Sequence, residues 1–395
     1  MSRETMRTPD ARGLLAPYAA FAFTLGFGWF VLAPLVPAEA AKLHVGLSSI
    51  LLLISMYGYT MVVGSLPAGF YVSRRGPGPS LVLATILTFV GLAMRALGTS
   101  FEVVLAGQIV AALAYPLLIA PIGSVLRLSG VVATKSATGL VIGTLFLGMS
   151  LGALTGGHLG ASDGLWLAVV LNLLTGGWLA RVAIRQRIQP QVGMGPMRIA
   201  VHPRWVVGFA VASTSVMFGS VAATALTHLR VPAAAEIGGN LSALTFLGSA
   251  VGAAAFGWIG QQMAAANDGL ERVLGIGTLL FTLVAAALLT GVLSIGAGGL
   301  DPAFLLLGIA GNGWYTLALE DSARAARSAG AAGLGTAGYS LASNVGVAVL
   351  PVLLGPLVVT AGGVWMGATA ALVAIAVAVV LFTRGDAPTE ASVPA

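Results

Sequence analysis

The side chains in this sequence that can hold a solute are amides, phenols and indoles, and they stand inside long apolar stretches. Tyr57, Gln108 and Tyr115 lie in the first half, and Asn312, Tyr315 and Asn344 in the second. Hydrocarbon cannot satisfy their hydrogen-bonding atoms, so each must face another helix or a water-filled cavity. Tyr59, Asn172 and Tyr339 belong to the same set. One cation joins them. Arg95 is the most internal basic residue, about one turn from the end of its stretch. It either snorkels to the interface, pairs with Glu102, or offers a guanidinium to an anion through charge-assisted hydrogen bonds.

Other chemistry is missing. No Asp or Glu stands in the middle of an apolar stretch. Glu39, Glu102, Asp163, Glu236 and Asp301 fall near one set of ends, and Glu320 and Asp321 near the other, beside Arg324 and Arg327. This argues against a mid-membrane carboxylate relay and for a charge cluster, or a gate, at Glu320 and Asp321. The histidines His44, His158, His202 and His228 are scattered without metal-ligand spacing. His158 and His228 lie near stretch ends and are the candidates for titration near neutral pH. There is no cysteine, no phosphate-binding glycine loop and no nucleophile–base–acid set. No catalytic residue, cofactor or metal is expected, and an enzyme is not.

The elements that carry these residues are long apolar helices. Hydrophobic residues make up 57% of the 395-residue chain and charged residues 8%, and mean hydropathy is +0.97. So few charges cannot cover a soluble protein of this size, so most of the surface must face lipid. A span needs about 20 mostly apolar residues. Twelve fit: 14–36, 47–72, 80–98, 101–126, 136–160, 164–184, 205–229, 239–263, 272–294, 301–322, 332–358 and 361–383. With twelve spans both termini share a side. Sixteen of the 19 Lys and Arg then fall on one face, and only Lys42, Arg95 and Arg230 fall near the other. The positive-inside rule makes the sixteen-residue face cytoplasmic, with both termini and the polar stretch 185–204. The net charge of +6 reflects this anchoring rather than nucleic-acid binding.

The two halves echo each other. Val36-Pro37-Ala38 recurs as Val231-Pro232-Ala233, and Leu47-Ser48 as Leu241-Ser242. Gly58, Gly139 and Gly152 fall on Gly252, Gly333 and Gly346 at an offset of 194. A repeat of this length predicts two pseudo-symmetric six-helix bundles, 1–184 and 205–395, joined by a linker at 185–204.

The loop after the second span, Gly69-Phe-Tyr-Val-Ser73-Arg74-Arg75-Gly76-Pro77-Gly78, resembles the signature loop of the major facilitator superfamily. Gly69, Arg74 and Gly76 match, while Ser73 stands where the acid is expected and Pro77-Gly78 replace the basic pair. The resemblance implies a gating loop on the cytoplasmic side. Without the acid, its lock is weaker or is made by Arg74 on helix-terminal carbonyls. The corresponding loop of the second half is Gly257-Trp-Ile-Gly260-Gln-Gln. Gly148, Gly152 and Gly156 in helix five resemble a motif of proton-coupled drug antiporters, with Ala153 in place of its proline. Small residues four apart also serve close helix packing, and Gly346 in helix eleven is their counterpart. Residues 91–107, with Arg95, bear a weaker resemblance to the cyanate transporter-like branch, whose members handle small anions, and a loose one to the haem and choline exporter-like branch.

In the superfamily, helices one, four, seven and ten line the cavity. That implies Trp29, Gln108, Tyr115, Asn312, Trp314 and Tyr315 as substrate-binding candidates, beside Tyr57, Arg95 and Asn344. The expectation is a monomeric transporter in the cytoplasmic (inner) membrane, secondary active or facilitative. It would move a small anion or amphipathic compound by alternating access, with efflux slightly favoured and a proton or counter-ion as the coupling partner. The alternative is a transport-inactive receptor or scaffold with the same fold.

Overall fold

In the computed structural model the chain is all-helical over the residues it describes: 11–128, 130–186, 203–212, 214, 226, 231, 234–263, 267–291, 298–325, 329–360 and 362–383. The first half comprises α1 (Ala11–Phe30), α2 (Leu47–Arg75), α3 (Pro77–Leu97), α4, α5 (Thr134–Leu159) and α6 (Ala161–Arg185). α4 runs in three pieces, Phe101–Ala112, Ala114–Ile119 and Ile122–Leu128. In the second half α7 is described over 203–212. It is followed by α8 (Ala234–Gln262), α9 (Asn267–Thr290), α10 (Leu300–Arg324), α11 (Ala329–Thr360) and α12 (Gly362–Phe382). A short helix, Val36–Lys42, links α1 to α2. Among the described residues, ten helices are long and apolar enough to cross a membrane. The expected span 205–229 lies largely outside the described residues. α11 covers the span expected at 332–358. Large apolar side chains such as Val63, Leu174, Trp258 and Phe382 stand exposed, as a lipid-facing surface requires.

The sequence dictates the local breaks. Gly76 sits at φ 87°, a conformation that favours glycine, and turns α2 into α3. Pro116 and Pro121 break α4 because each removes an amide donor. The carbonyls four residues earlier are recovered by neighbouring hydroxyls. Thr60 donates to the Ala112 carbonyl at 2.9 Å, and Ser80 donates to the Leu117 carbonyl at 3.1 Å. Tyr18 donates to the Leu118 carbonyl, and Thr336, from the other half, to that of Ala120 at 2.8 Å.

Within the first half α1 and α5 lie backbone to backbone. A Cβ on Gly148 would overlap the Phe23 carbonyl, one on Gly156 the Val31 carbonyl, and one on Gly152 would lie 2.8 Å from the Phe27 carbonyl oxygen. These glycines serve helix packing. Gly346 lies outside the residues whose surroundings are described. The halves meet along two seams, α5 against α8 and α2 against α11.

Candidate functional site

Arg95 is 1% exposed and ties the first half together. Its Nη1 donates to Gln108 Oε1 at 2.9 Å, and its Nη2 to the Gly28 carbonyl at 2.6 Å. Gln108 Nε2 in turn donates to the Leu53 carbonyl at 2.8 Å. One guanidinium and one amide thus join α1, α2, α3 and α4. Arg95 neither snorkels nor pairs with Glu102, which is exposed. The buried partners at Gly28 and Gln108 satisfy the guanidinium at lower cost than a route to solvent. Its hydrogen-bond acceptors are neutral, and its Nε has no hydrogen-bond partner. Two other groups lie within its electrostatic reach, Tyr57 and the buried Glu39, and Glu39 is itself paired with Lys42 at 3.4 Å.

Aromatic rings gather beside this cation. Trp29 stacks on Tyr57, with centroids 4.3 Å apart and planes 11° from parallel. Tyr115 lies 5.4 Å from Trp29 and 6.3 Å from Tyr57. The indole of Trp29 donates to the Ile54 carbonyl at 2.8 Å, but the buried Tyr57 hydroxyl has no partner. Across the seam, Tyr115 and Tyr315 are within electrostatic reach. Tyr315 lies 5.6 Å from Tyr339, which lies 6.0 Å from Trp314. The Tyr315 hydroxyl shares a 3.2 Å hydrogen bond with Ser340. Trp29, Tyr57, Arg95, Gln108 and Tyr115 therefore form one group in the first half, and Tyr315, Tyr339 and Trp314 form another in the second.

Asn312 and Asn344 stand apart. Asn312 donates to Ser249 at 2.6 Å and fastens α10 to α8. Asn344 donates to the Ser340 carbonyl of its own helix at 2.8 Å. Asn172 likewise serves packing, donating to the Thr24 carbonyl of α1 at 2.8 Å.

A second concentration of polar groups lies where the halves meet near the 185–204 linker, the linker end. Arg204 Nη1 lies 3.0 Å from both Glu271 Oε2 and Asp321 Oδ2, and its Nη2 lies 3.2 Å from Asp268 Oδ1. Lys135, from α5 of the first half, reaches Asp321 Oδ1 at 3.5 Å. Burial pulls the pKa of Arg204 down, but Glu271, Asp321 and Asp268 outweigh it and hold the group above its ordinary value. Glu320 accepts from Thr134 at 2.6 Å and pairs with Arg324 at 3.1 Å. These contacts make the Glu320–Asp321 cluster that the sequence led us to expect, with Lys135, Arg204 and Glu271 as further members. Sequence reasoning passed over Arg204, Glu271 and Asp268 because charges flanking apolar stretches read as membrane anchors. Only their convergence from α7, α9 and α10 distinguishes them.

The gating loop has a different arrangement from the one anticipated. Arg74 and Arg75 are exposed, while Ser73 is buried and donates to the Phe70 carbonyl at 2.8 Å. The carbonyls at the end of α10 are met by Arg127, whose Nη2 lies 3.0 Å from that of Ala323 and 2.7 Å from that of Arg324. The last piece of α4 lies against α10, which puts Arg127 in reach; Arg74 points outward. Gly69 lets α2 approach α11, since a Cβ there would lie 2.6 Å from that of Ala337. The second-half loop also crosses the seam, with Gln261 accepting from the Lys135 amide at 3.2 Å. His158 is exposed. His202 and His228 lie outside the described residues.

No protein-family model matches the sequence, and no curated protein does. Solved structures do. The crystal structure of the human organic anion transporter MFSD10 (TETRAN) aligns with 94% of this chain and 100% of its own, at TM-score 0.74 and 14% identity. The major facilitator transporter FucP, in its outward conformation, aligns with 94% of this chain and 98% of its own, at TM-score 0.66 and 13% identity. This is the major facilitator fold. It makes the chain an all-α, multi-pass membrane protein. Within that fold Trp29 of α1, Tyr57 of α2 and Tyr115 of α4 pack together, as Tyr315 of α10 and Tyr339 of α11 do in the second half.

Proposed function

We propose that this protein is a secondary transporter that moves a small organic monoanion with an aromatic or apolar body. The observation that carries the reading is Arg95, a buried cation hydrogen-bonded only to neutral acceptors beside the stacked Trp29–Tyr57 pair. Its free Nε and the unpartnered Tyr57 hydroxyl are spare donors for a carboxylate. The rings of Trp29, Tyr57, Tyr115 and Tyr315 offer flat apolar surface to the rest of the solute. The fold's likeness to a protein titled an organic anion transporter supports the same class.

Alternating access would swing bundle 1–184 against bundle 205–395 about the linker 185–204, exposing the seam between Tyr115 and Tyr315 to each side in turn. The positive-inside bias supports a cytoplasmic location for both termini and the linker, and the reading takes the membrane as the cytoplasmic one. The reading takes the protein as a monomer and favours export.

The test is flux in proteoliposomes, comparing benzoate-like monoanions with neutral isosteres. Saturable anion flux that falls at least about tenfold in Arg95→Lys and Tyr57→Phe, with folding retained, is the expected result. Equal transport of neutral isosteres would overturn the anion assignment. Saturable binding without flux would favour a receptor that has kept the fold.

A further inference from the structure

A cavity of about 220 Å³ lies between the halves at the linker end, and it shares no residue with the Arg95 group. The last piece of α4 gives it Ile122 and Arg127, α5 gives Thr138, and α10 gives Leu319, Glu320 and Arg324. Thr138 is fully buried, and its hydroxyl has no hydrogen-bond partner. Its helix neighbours behave otherwise. Thr144 and Thr155 return their hydroxyls to the Val141 and Leu151 carbonyls, at 3.0 and 2.6 Å, as helical threonines do. A buried hydroxyl left unanswered costs stability until something meets it. Across the seam Glu320 is 5% exposed. Its Oε1 accepts from Thr134 and Arg324, but its Oε2 has no partner. Arg127 uses only Nη2 on the α10 carbonyls, and its Nε and Nη1 bond to no described residue. With Glu320 set against Arg127 and Arg324, the lining carries one net positive charge.

We infer that this cavity is a second binding site, for a small aliphatic carboxylate that carries a hydrogen-bond donor. Its carboxylate meets Arg127 through charge-assisted hydrogen bonds and answers the positive charge of the lining. A hydroxyl or ammonium on the same molecule supplies the donor that Glu320 Oε2 lacks and gives the Thr138 hydroxyl a partner. The aliphatic body lies on Ile122 and Leu319. The volume is below the ~300 Å³ at which pockets for drug-sized ligands begin, so the ligand is small. Arg127 and Thr138 belong to the first half and Glu320 to the second, so the bound molecule bridges them. Hydroxy acids and amino acids share this chemistry.

The chain has no native cysteine, so one dye can be placed at will. Val132 lines the cavity and is 91% exposed. In full-length Val132→Cys protein bearing an environment-sensitive dye, α-hydroxyisocaproate and leucine are titrated beside isocaproate, which lacks the donor. At least one of the first two should saturate about tenfold more tightly than isocaproate, the effect of one hydrogen bond. Which of them does so tells hydroxyl from ammonium. Adding Thr138→Val should weaken that binding about tenfold yet raise the unfolding temperature of the empty protein, because an unpartnered hydroxyl is gone. Equal binding of isocaproate overturns the site. Unchanged binding in Thr138→Val overturns it too, as does a lowered unfolding temperature there, the mark of a hydroxyl already answered by ordered water. The absence of any dye signal, with no shift in the unfolding temperature of the unlabelled protein, overturns it outright. Benzoate, the probe of the Arg95 site, should not displace the ligand; full displacement at equal concentration would merge the two sites and overturn this one. None of these readouts involves flux, so a failure of anion transport leaves this site standing, and a failure here leaves the transport reading standing.

Discussion

Arg95 and Arg204 are both largely removed from water, yet they sit in opposite electrostatic situations. Arg95 lies inside one half and bonds to an amide and a backbone carbonyl, so its charge is left only partly answered. Arg204 lies where the halves meet and has three carboxylates within 3.2 Å, one of them also reached by Lys135. Under the proposed function the first arrangement leaves the guanidinium open to a further anion. The second holds its cation in ion pairs. The two sites also differ in what they join. The Arg95 network stitches helices of the first half alone, whereas Lys135–Asp321 joins the first half to the second, and under the proposed alternating access it would break when they part.

The contrast is most severely tested at Gln108. Gln108→Ala leaves Arg95 Nη1 without an acceptor in the protein interior, and the expected loss is about 3 kcal/mol of stability, read by thermal unfolding in detergent. A loss near zero would mean that the network does not hold the bundle. Gln108→Glu goes the other way by giving Arg95 its own carboxylate. Folding should be kept while anion flux falls about tenfold, a change of about 1.4 kcal/mol. Unchanged flux in that variant would remove Arg95 from the anion site.

Smaller effects are expected at the seam. Lys135→Ala removes a buried partner but still leaves Asp321 paired with Arg204, so it should cost about 2 kcal/mol. It should also reduce the loss of stability on adding salt, because the linker-end cluster is more open to screening than Arg95. Identical salt dependence in the two proteins would place the sensitivity elsewhere. Arg74→Ala should change neither unfolding nor flux, since that side chain is exposed and the α10 carbonyls are taken by Arg127. A clear flux defect there would restore the gating role expected of the signature loop.

Much of the fold could be read from the sequence because hydrocarbon imposes strict rules on length and polarity. The spans, the basic loops and the small-residue packing of Gly148, Gly152 and Gly156 all follow from those rules. The meeting of Trp29, Tyr57 and Tyr115 was half legible: polarity inside a span flags each residue, but which rings touch depends on helix rotation. Arg95 shows the limit. Its position near a helix end pointed to solvent or to Glu102, and only the fold brings the Gly28 carbonyl and Gln108 within reach. Glu271 and Arg204 were less visible still, because a charge at the edge of an apolar stretch looks the same whether it faces headgroups or another charge.

The double break in α4 has a mechanical consequence. A continuous helix transmits a push along its whole length, but one cut at Pro116 and Pro121 does not. The piece with Tyr115 is clamped by Ser80 and Tyr18 to helices of the first half, as Thr60 clamps the end of the piece before it. The final piece, Ile122–Leu128, is gripped from the second half, by Thr336 just before it and through Arg127 within it. Under the proposed alternating access α4 would act as a jointed lever, whose short arm follows the second half while the long arm keeps the aromatic group in place.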